Sequence, residues 1–253
     1  MQTRIYVLGR VEIETPGGLI GEQQFPGRQG RTLFAYLICH RQRPMTREEL
    51  ANIVWPDEVP LAWETALHAL VSKLRSLFKK MDGDARLELT SAFGTYALRL
   101  SGDAWIDREA AAEALDEAES YLRHGDIQKA WAPGNIASIA ARQPFLLGEE
   151  GDWLNAERAR LHDILVRALD CMAEVWMANG ESKLALATAR EIIALEPFRE
   201  TGYQRLMRFQ TMLGNRAEAL RVYEACRELL SEELGADPSA ETESLYLELL
   251  GAP

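Results

Sequence analysis

The first hundred residues and the remainder of this 253-residue chain are written in different periods. No single fold accommodates both. The chain opens on alternation: Ile5, Val7, Val11 and Ile13 stand two apart on either side of Gly9-Arg10, and Pro16-Gly17-Gly18 marks a turn. This predicts short β-strands in a meander. Helical spacing follows. Leu33, Phe34, Leu37 and Ile38 form one apolar face from about Arg31 to His40, ended by Pro44, with the glycine-rich stretch Gly27–Arg31 expected as a loop before it. Thr46-Arg47-Glu48-Glu49 has the form of a capping box: the threonine hydroxyl accepts from the Glu49 N–H, and the glutamate reaches back to the threonine N–H. It opens a short helix with Leu50, Ile53 and Val54 inward, ended by Trp55-Pro56 and the loop Asp57–Pro60. A third helix, from about Leu61 to Lys79, buries Leu67, Leu70, Val71, Leu74 and Phe78. After a polar break at Met81–Arg86, Leu87 and Leu89, then Tyr96, Leu98 and Leu100, alternate around Ser91–Thr95, which predicts a β-hairpin.

From Gly102 onward the spacing is helical to the end, and a repeat runs through it. Gly180-Glu181 leads to Ala185 and Gly214-Asn215 to Ala219, an offset of 34 residues that Leu186 and Leu220 share. Gly125-Asp126 leading to Ala130 has the same internal step. A period of 34 with a glycine turn is tetratricopeptide spacing: the glycine supplies a left-handed turn, and the alanine lets two helices approach. Charge changes at the same place. Residues 1–100 carry a net charge of +2 and residues 101–253 a net charge of −13, an asymmetry hidden in the total of −11. These shifts place a domain boundary near residues 101–104, giving a domain over 1–101 and another over 102–253. The fold class is mainly α with small β.

Enzymatic signatures are missing. No phosphate-loop, nucleophile-elbow or zinc-protease motif occurs, and His40, His68, His124 and His162 are scattered. The many carboxylates beyond residue 100 follow helical surface spacing. Cys39, Cys171 and Cys226 are widely spaced within apolar helical patterns, which reads as reduced core thiols rather than a metal site or disulfides. No apolar run approaches the roughly 18 residues of a membrane span. The expectation is a cytoplasmic protein that is not an enzyme and needs no cofactor or metal.

Three helices closed by a hairpin make a winged helix-turn-helix. In this class the third helix enters the major groove of double-stranded DNA and the hairpin touches backbone or minor groove. The apolar stripe leaves Thr65, His68, Ala69, Ser72, Lys73, Arg75, Ser76 and Lys79 on the outward face. Arg47, Lys73, Arg75 and Lys79 suit phosphates or guanine edges, while Thr65, His68 and Ser72 suit base edges. The hairpin tip has no Lys or Arg, so Thr95, Ser91 or backbone would make its contact. Farther on, Trp153, Trp176 and Tyr203 are expected in the repeat core. Arg199 and Arg205 are expected to pair with acids in the bundle.

The segments Arg47-Glu48-Glu49-Leu50, Trp55-Pro56-Asp57, Leu70-Val71-Ser72-Lys73-Leu74-Arg75 and Gly94-Thr95-Tyr96-Ala97-Leu98 resemble the DNA-binding half of the Streptomyces antibiotic regulatory protein type, whose winged helix is of the OmpR kind. Pro144-Phe145-Leu146 with Gly148, Asp152-Trp153, Glu157-Arg158-Ala159-Arg160-Leu161, Glu196-Pro197-Phe198-Arg199-Glu200, Glu218–Tyr223 and Glu233–Ser239 resemble the bacterial transcriptional activator domain found beside it. The resemblance covers nearly the whole chain. It implies a transcriptional activator that binds direct repeats as side-by-side dimers and recruits RNA polymerase holoenzyme through its sigma subunit. The loop carrying Asp57 and Glu58 would face the polymerase, and the bound protein would lie on the nucleoid. Phosphorylation of a receiver aspartate is not the expected switch. Near the start of the third helix, where family members often carry Arg or Asn, this chain has Trp63-Glu64-Thr65, and Glu64 would repel phosphate if it faced DNA; Leu70 stands where some related winged helices use a polar or basic residue. The competing reading is a helical-repeat interaction scaffold whose winged helix no longer binds DNA.

Overall fold

The computed structural model describes residues 2–80, 87–100 and 102–251. Its elements in chain order are β1 (Arg4–Tyr6), β2 (Glu12–Thr15), β3 (Gly18–Ile20), α1 (Gly27–Cys39), β4 (Met45–Thr46), α2 (Arg47–Val54), α3 (Trp63–Phe78), β5 (Glu88–Ala92), β6 (Thr95–Arg99), β7 (Trp105–Ile106), α4 (Asp107–Arg123), α5 (Ile127–Ala141), α6 (Asp152–Ala178), α7 (Ser182–Leu195), α8 (Glu200–Met212), α9 (Arg216–Leu234) and α10 (Ala240–Gly251). The polar break at 81–86 lies outside the described residues. The chain forms two compact units: Met1–Ala111 with Ala140–Leu161, and Ala112–Ile139 with His162–Pro253.

The first unit is a winged helix with a sheet in front. The opening meander gives the sheet order β3-β2-β1-β7, in which β1 and β2 are antiparallel with Ile5 opposite Ile13. The alternation works as its spacing predicts, because Ile5, Val7, Val11, Ile13 and Ile20 are all buried. The parallel partner β7 is two residues long, too short to show a period in the sequence. The same holds for β4, which pairs Met45 with Tyr96 and adds a strand to the hairpin, giving the order β4-β6-β5. Helices α1, α2 and α3 bury Phe34, Leu37, Leu50, Leu67 and Leu74 completely. Phe34 meets Phe25 and Phe78 at ring centroids 5.1 and 5.9 Å apart.

Two local expectations are corrected. Gly27–Arg31 is not a loop but the first turn of α1. Pro26 lies against that turn, so a Cβ on Gly30 would stand 2.3 Å from the Pro26 ring, and only glycine fits. The capping box at α2 is half made. Thr46 Oγ1 accepts from the Glu49 N–H at 3.1 Å. The Glu49 carboxylate instead accepts from the Tyr36 hydroxyl at 2.6 Å and from two Arg43 nitrogens at 2.5 and 2.9 Å. Charge-assisted donors outcompete a neutral backbone N–H.

The core of this unit runs past the composition shift near residue 101. Ile106, Phe145, Leu146, Leu154 and Leu161 are buried in the same cluster as α1–α3. Polar groups fix these later residues. Asp107 accepts from the Val7 N–H at 3.0 and 3.1 Å and from the Leu8 N–H at 2.9 Å. Arg108 donates to Glu157 at 2.6 Å, and Arg41 meets Glu109. Arg158 donates to the carbonyls of Phe145, Leu146 and Glu149, closing the Pro144–Gly148 turn. Trp153 belongs here rather than in the repeat core: its ring meets Phe145 edge-on at 5.7 Å and Tyr36 at 5.0 Å. The Tyr36 and Phe145 rings offered an aromatic pocket that a single-helix pattern cannot reveal.

The second unit is a series of helices in which one turn recurs, between α4 and α5, α6 and α7, and α8 and α9. Gly125, Gly180 and Gly214 have φ of +78°, +78° and +75°. The N–H of the next residue bonds back five positions in each case: Asp126 to Tyr121, Glu181 to Trp176 and Asn215 to Gln210, all at 2.8–2.9 Å. This is the Schellman closure that a glycine past a helix end permits. Ala130, Ala185 and Ala219 are completely buried, as the 34-residue step requires. Tyr203 is buried and Trp176 packs on the cluster of Ala173, Ala185 and Phe209. Arg205 pairs with Asp170 at 3.1 Å and with Glu174, and Arg199 stands 3.7 Å from Asp170, so both arginines do pair with acids.

Glu49 supplies the first test. Arg43 and then Tyr36 hold its carboxyl below the ordinary value of 4.5, against the opposing effect of burial. A depressed carboxyl stabilises the fold above the unfolded value and loses that contribution as pH falls through the folded value. Glu49→Gln is expected to cost about 1–2 kcal/mol at neutral pH. In urea titrations its deficit should shrink under acid conditions; a deficit independent of pH would contradict this role.

Candidate nucleic-acid interface

Helix α3 divides along its length. Leu67, Leu70, Val71, Leu74, Leu77 and Phe78 are buried. Thr65, His68, Ala69, Ser72, Lys73, Ser76 and Lys79 are exposed. Thr65 to Lys79 spans about 21 Å at the rise of an α-helix. The inward stripe is what places these side chains outward, since residues three and four apart share a face. Leu70, the expected departure from the family, is part of the core and leaves the exposed face to its neighbours.

Arg75 has another task. Its Nε donates to the Leu89 carbonyl at 2.7 Å and its Nη2 to Ser91 Oγ at 3.1 Å. The side chain is half-buried and ties α3 to β5. Thr95, at the start of β6, donates its hydroxyl to the Ala92 carbonyl at 2.8 Å and helps close the hairpin turn. Arg47 is the first residue of α2 and is half-buried. The structure therefore brings Thr65, His68, Ser72, Lys73 and Lys79 onto one open surface. Arg75 and Thr95 hold the hairpin beside it.

Sequence reasoning passed over Phe93. The hairpin turn is Phe93-Gly94, with Ala92 opposite Thr95. Both turn residues have positive φ, +49° and +79°. The Phe93 side chain is 105% exposed. The available signal was a Phe-Gly pair where a two-residue hairpin turn favours Asn-Gly.

In the connection between α2 and α3, Asp57 and Glu58 are exposed, and Leu61 is 107% exposed. Glu64 is exposed in the first turn of α3. There its charge complements the helix dipole, one turn before His68. Among the described residues, no cluster of His, Cys, Asp or Glu could hold a metal ion, and no helix is long and apolar enough to cross a membrane.

Comparison with known proteins agrees with this architecture. The family model described as Bacterial transcriptional activator domain matches residues 106–250. The chain is 29% identical over 224 residues to the regulatory protein AfsR of Streptomyces coelicolor, covering 88% of this chain and 22% of that protein. It thus spans about a fifth of that relative's length. It is 25% identical over 251 residues to the transcriptional regulator RedD of the same organism, covering 97% of this chain and 70% of that one. Among solved structures it is similar to Mycobacterium tuberculosis EmbR in complex with a low-affinity phosphopeptide, with a TM-score of 0.83 and 21% identity over 98% of this chain and 65% of that one. That likeness shows the shared fold. The two relatives are named as a regulatory protein and a transcriptional regulator, not as enzymes.

The tie between α3 and β5 can be tested without a ligand. Arg75→Ala is expected to cost about 1–2 kcal/mol, because two bonds from a charged donor are lost. Hydrogen exchange of the β5 and β6 amides should accelerate. Lys73→Ala should leave both quantities unchanged, and equal effects from the two substitutions would contradict the assignment.

Proposed function

Because the chain belongs to the bacterial transcriptional activator domain family, we propose that it regulates transcription by binding specific DNA sequences through helix α3. The observation that carries this reading is the open polar face of α3, held at its other side by the core and flanked by a hairpin that Arg75 secures. Lys73 and Lys79 meet phosphates, while Thr65, His68 and Ser72 read base edges in the major groove. Arg47, at the start of α2, meets the backbone. Arg75 acts chiefly by fixing the hairpin, and Thr95 by closing its turn.

The N-terminal hundred residues carry a net charge of only +2, which gives weak sequence-independent attraction. Two copies on adjacent direct repeats raise occupancy by effective concentration, without stronger contacts from each. The exposed connection with Asp57, Glu58 and Leu61 offers carboxylates and an apolar side chain to RNA polymerase holoenzyme, at its sigma subunit. The protein then acts as an activator in the cytoplasm, on the nucleoid.

Selection of bound duplexes from a random DNA pool tests this directly. Wild-type protein should enrich a direct repeat, and a Ser72→Ala/Lys73→Ala variant should lose that enrichment. Equal enrichment by both proteins would contradict the role of α3. No enrichment by either would favour a protein-binding module instead. On the selected duplex, Glu64→Gln should tighten binding about two- to fivefold at low salt and less at high salt, since it removes a screened repulsion. Unchanged or weaker binding would place Glu64 away from phosphate.

A further inference from the structure

Phe93 bears two costs that bring it nothing within the described structure. Its φ of +49° is a left-handed conformation that a bulky L-residue adopts only under strain. Its ring is wholly exposed and makes no ring contact among the described residues. Asparagine or glycine at this position would make the same turn at less cost. A strained, exposed aromatic at a loop tip is the kind of outlier from which function is inferred.

The surroundings select a partner. Ala92 and Gly94 flank the ring, so the tip is narrow. The nearest charged residues on the hairpin, Glu88 and Arg99, stand opposite each other at its far end. The tip itself carries no cationic side chain to attract phosphate. Arg75 fixes the hairpin against α3, so a helix seated in the major groove brings the tip to the neighbouring backbone and groove. A lone aromatic on a narrow ribbon is far smaller than the roughly 800 Å² per partner of a stable protein interface. It does match the apolar wedges that enter a minor groove about 6 Å wide and part adjacent base pairs.

We propose that Phe93 is an apolar wedge that inserts into the minor groove, unstacks one base step and bends the duplex bound by α3. This rests on the DNA-binding reading above. It adds a deformation term to recognition, favouring easily unstacked pyrimidine–purine steps at the place the tip reaches.

Two variants test it on a duplex recovered from the random-pool selection. Phe93→Asn keeps the turn and relieves the strain; Phe93→Leu keeps an apolar wedge. Phe93→Asn should melt no lower than wild type without DNA. It should bind about tenfold more weakly, within the range that one aromatic contact with a base contributes. Energy transfer between dyes at the two duplex ends should show a bend with wild type and Phe93→Leu, and a straight duplex with Phe93→Asn. Wild-type affinity and bending in Phe93→Asn, alongside lost binding in the Ser72→Ala/Lys73→Ala variant, would overturn the wedge alone. A wild-type complex with straight DNA would also overturn it. Failure of wild-type protein to select any duplex would overturn the wedge together with the reading it rests on.

Discussion

Glu157 is 2% exposed and ionisable, and the first unit is organised around satisfying it. Arg108 meets one of its oxygens at 2.6 Å and Arg160 meets the other. An unpaired carboxylate at that depth would cost several kcal/mol, so the pair forms only when α4 and α6 stand correctly. The neighbour of Arg108, Asp107, caps the end of β1 by accepting from Val7 and Leu8. Two adjacent residues at the start of α4 thus bind a strand on one side and a later helix on the other. Residues 140–161 are remote in sequence, yet they supply Phe145, Leu146, Leu154 and Leu161 to the core beneath the winged helix.

That support explains how the candidate interface keeps its shape. Helix α3 has no side-chain cap at its start, and a polar break follows it. Its position comes from the buried stripe and from Arg75 at the hairpin. The exposed face carries short side chains at Thr65 and Ser72 and long basic ones at Lys73 and Lys79. If this surface reads DNA as proposed, it needs rigid backing, because an ångström of slack would blur base recognition. Helix α3, the hairpin and the supporting clasp all belong to the first unit. The second unit repeats one glycine turn and one buried alanine.

What the sequence made legible follows from period. The meander, the three helices, the hairpin and the glycine turns all have patterns long enough to register. The strands β4 and β7 have two residues each and no period to read. Gly27–Arg31 looked like a loop because two glycines lower helix propensity; the reason for Gly30 is the Pro26 ring against it, a tertiary fact. Trp153 sits on a helical pattern that runs onward into the repeat, so its packing on Tyr36 was hidden. The basic residues of α3 were legible as an outward set, but Arg75 was not separable from Lys73 by spacing. Only the hairpin carbonyl of Leu89 and the hydroxyl of Ser91 distinguish them. Phe93 was passed over because an exposed aromatic in a loop is ordinary until its positive φ is known.

The most direct measurement places α3 on DNA chemically. Ser72→Cys carrying an iron chelate would cleave whatever lies against the helix. The native thiols interfere little, since burial pushes Cys39 up to about 12 and Cys171 and Cys226 up to about 11, far from the thiolate that reacts. On a selected duplex the expected result is two short clusters of strand breaks, facing each other across the major groove in each half-site. Breaks spread evenly along the duplex, or none above background in a bound complex, would contradict the claim that α3 reads the major groove.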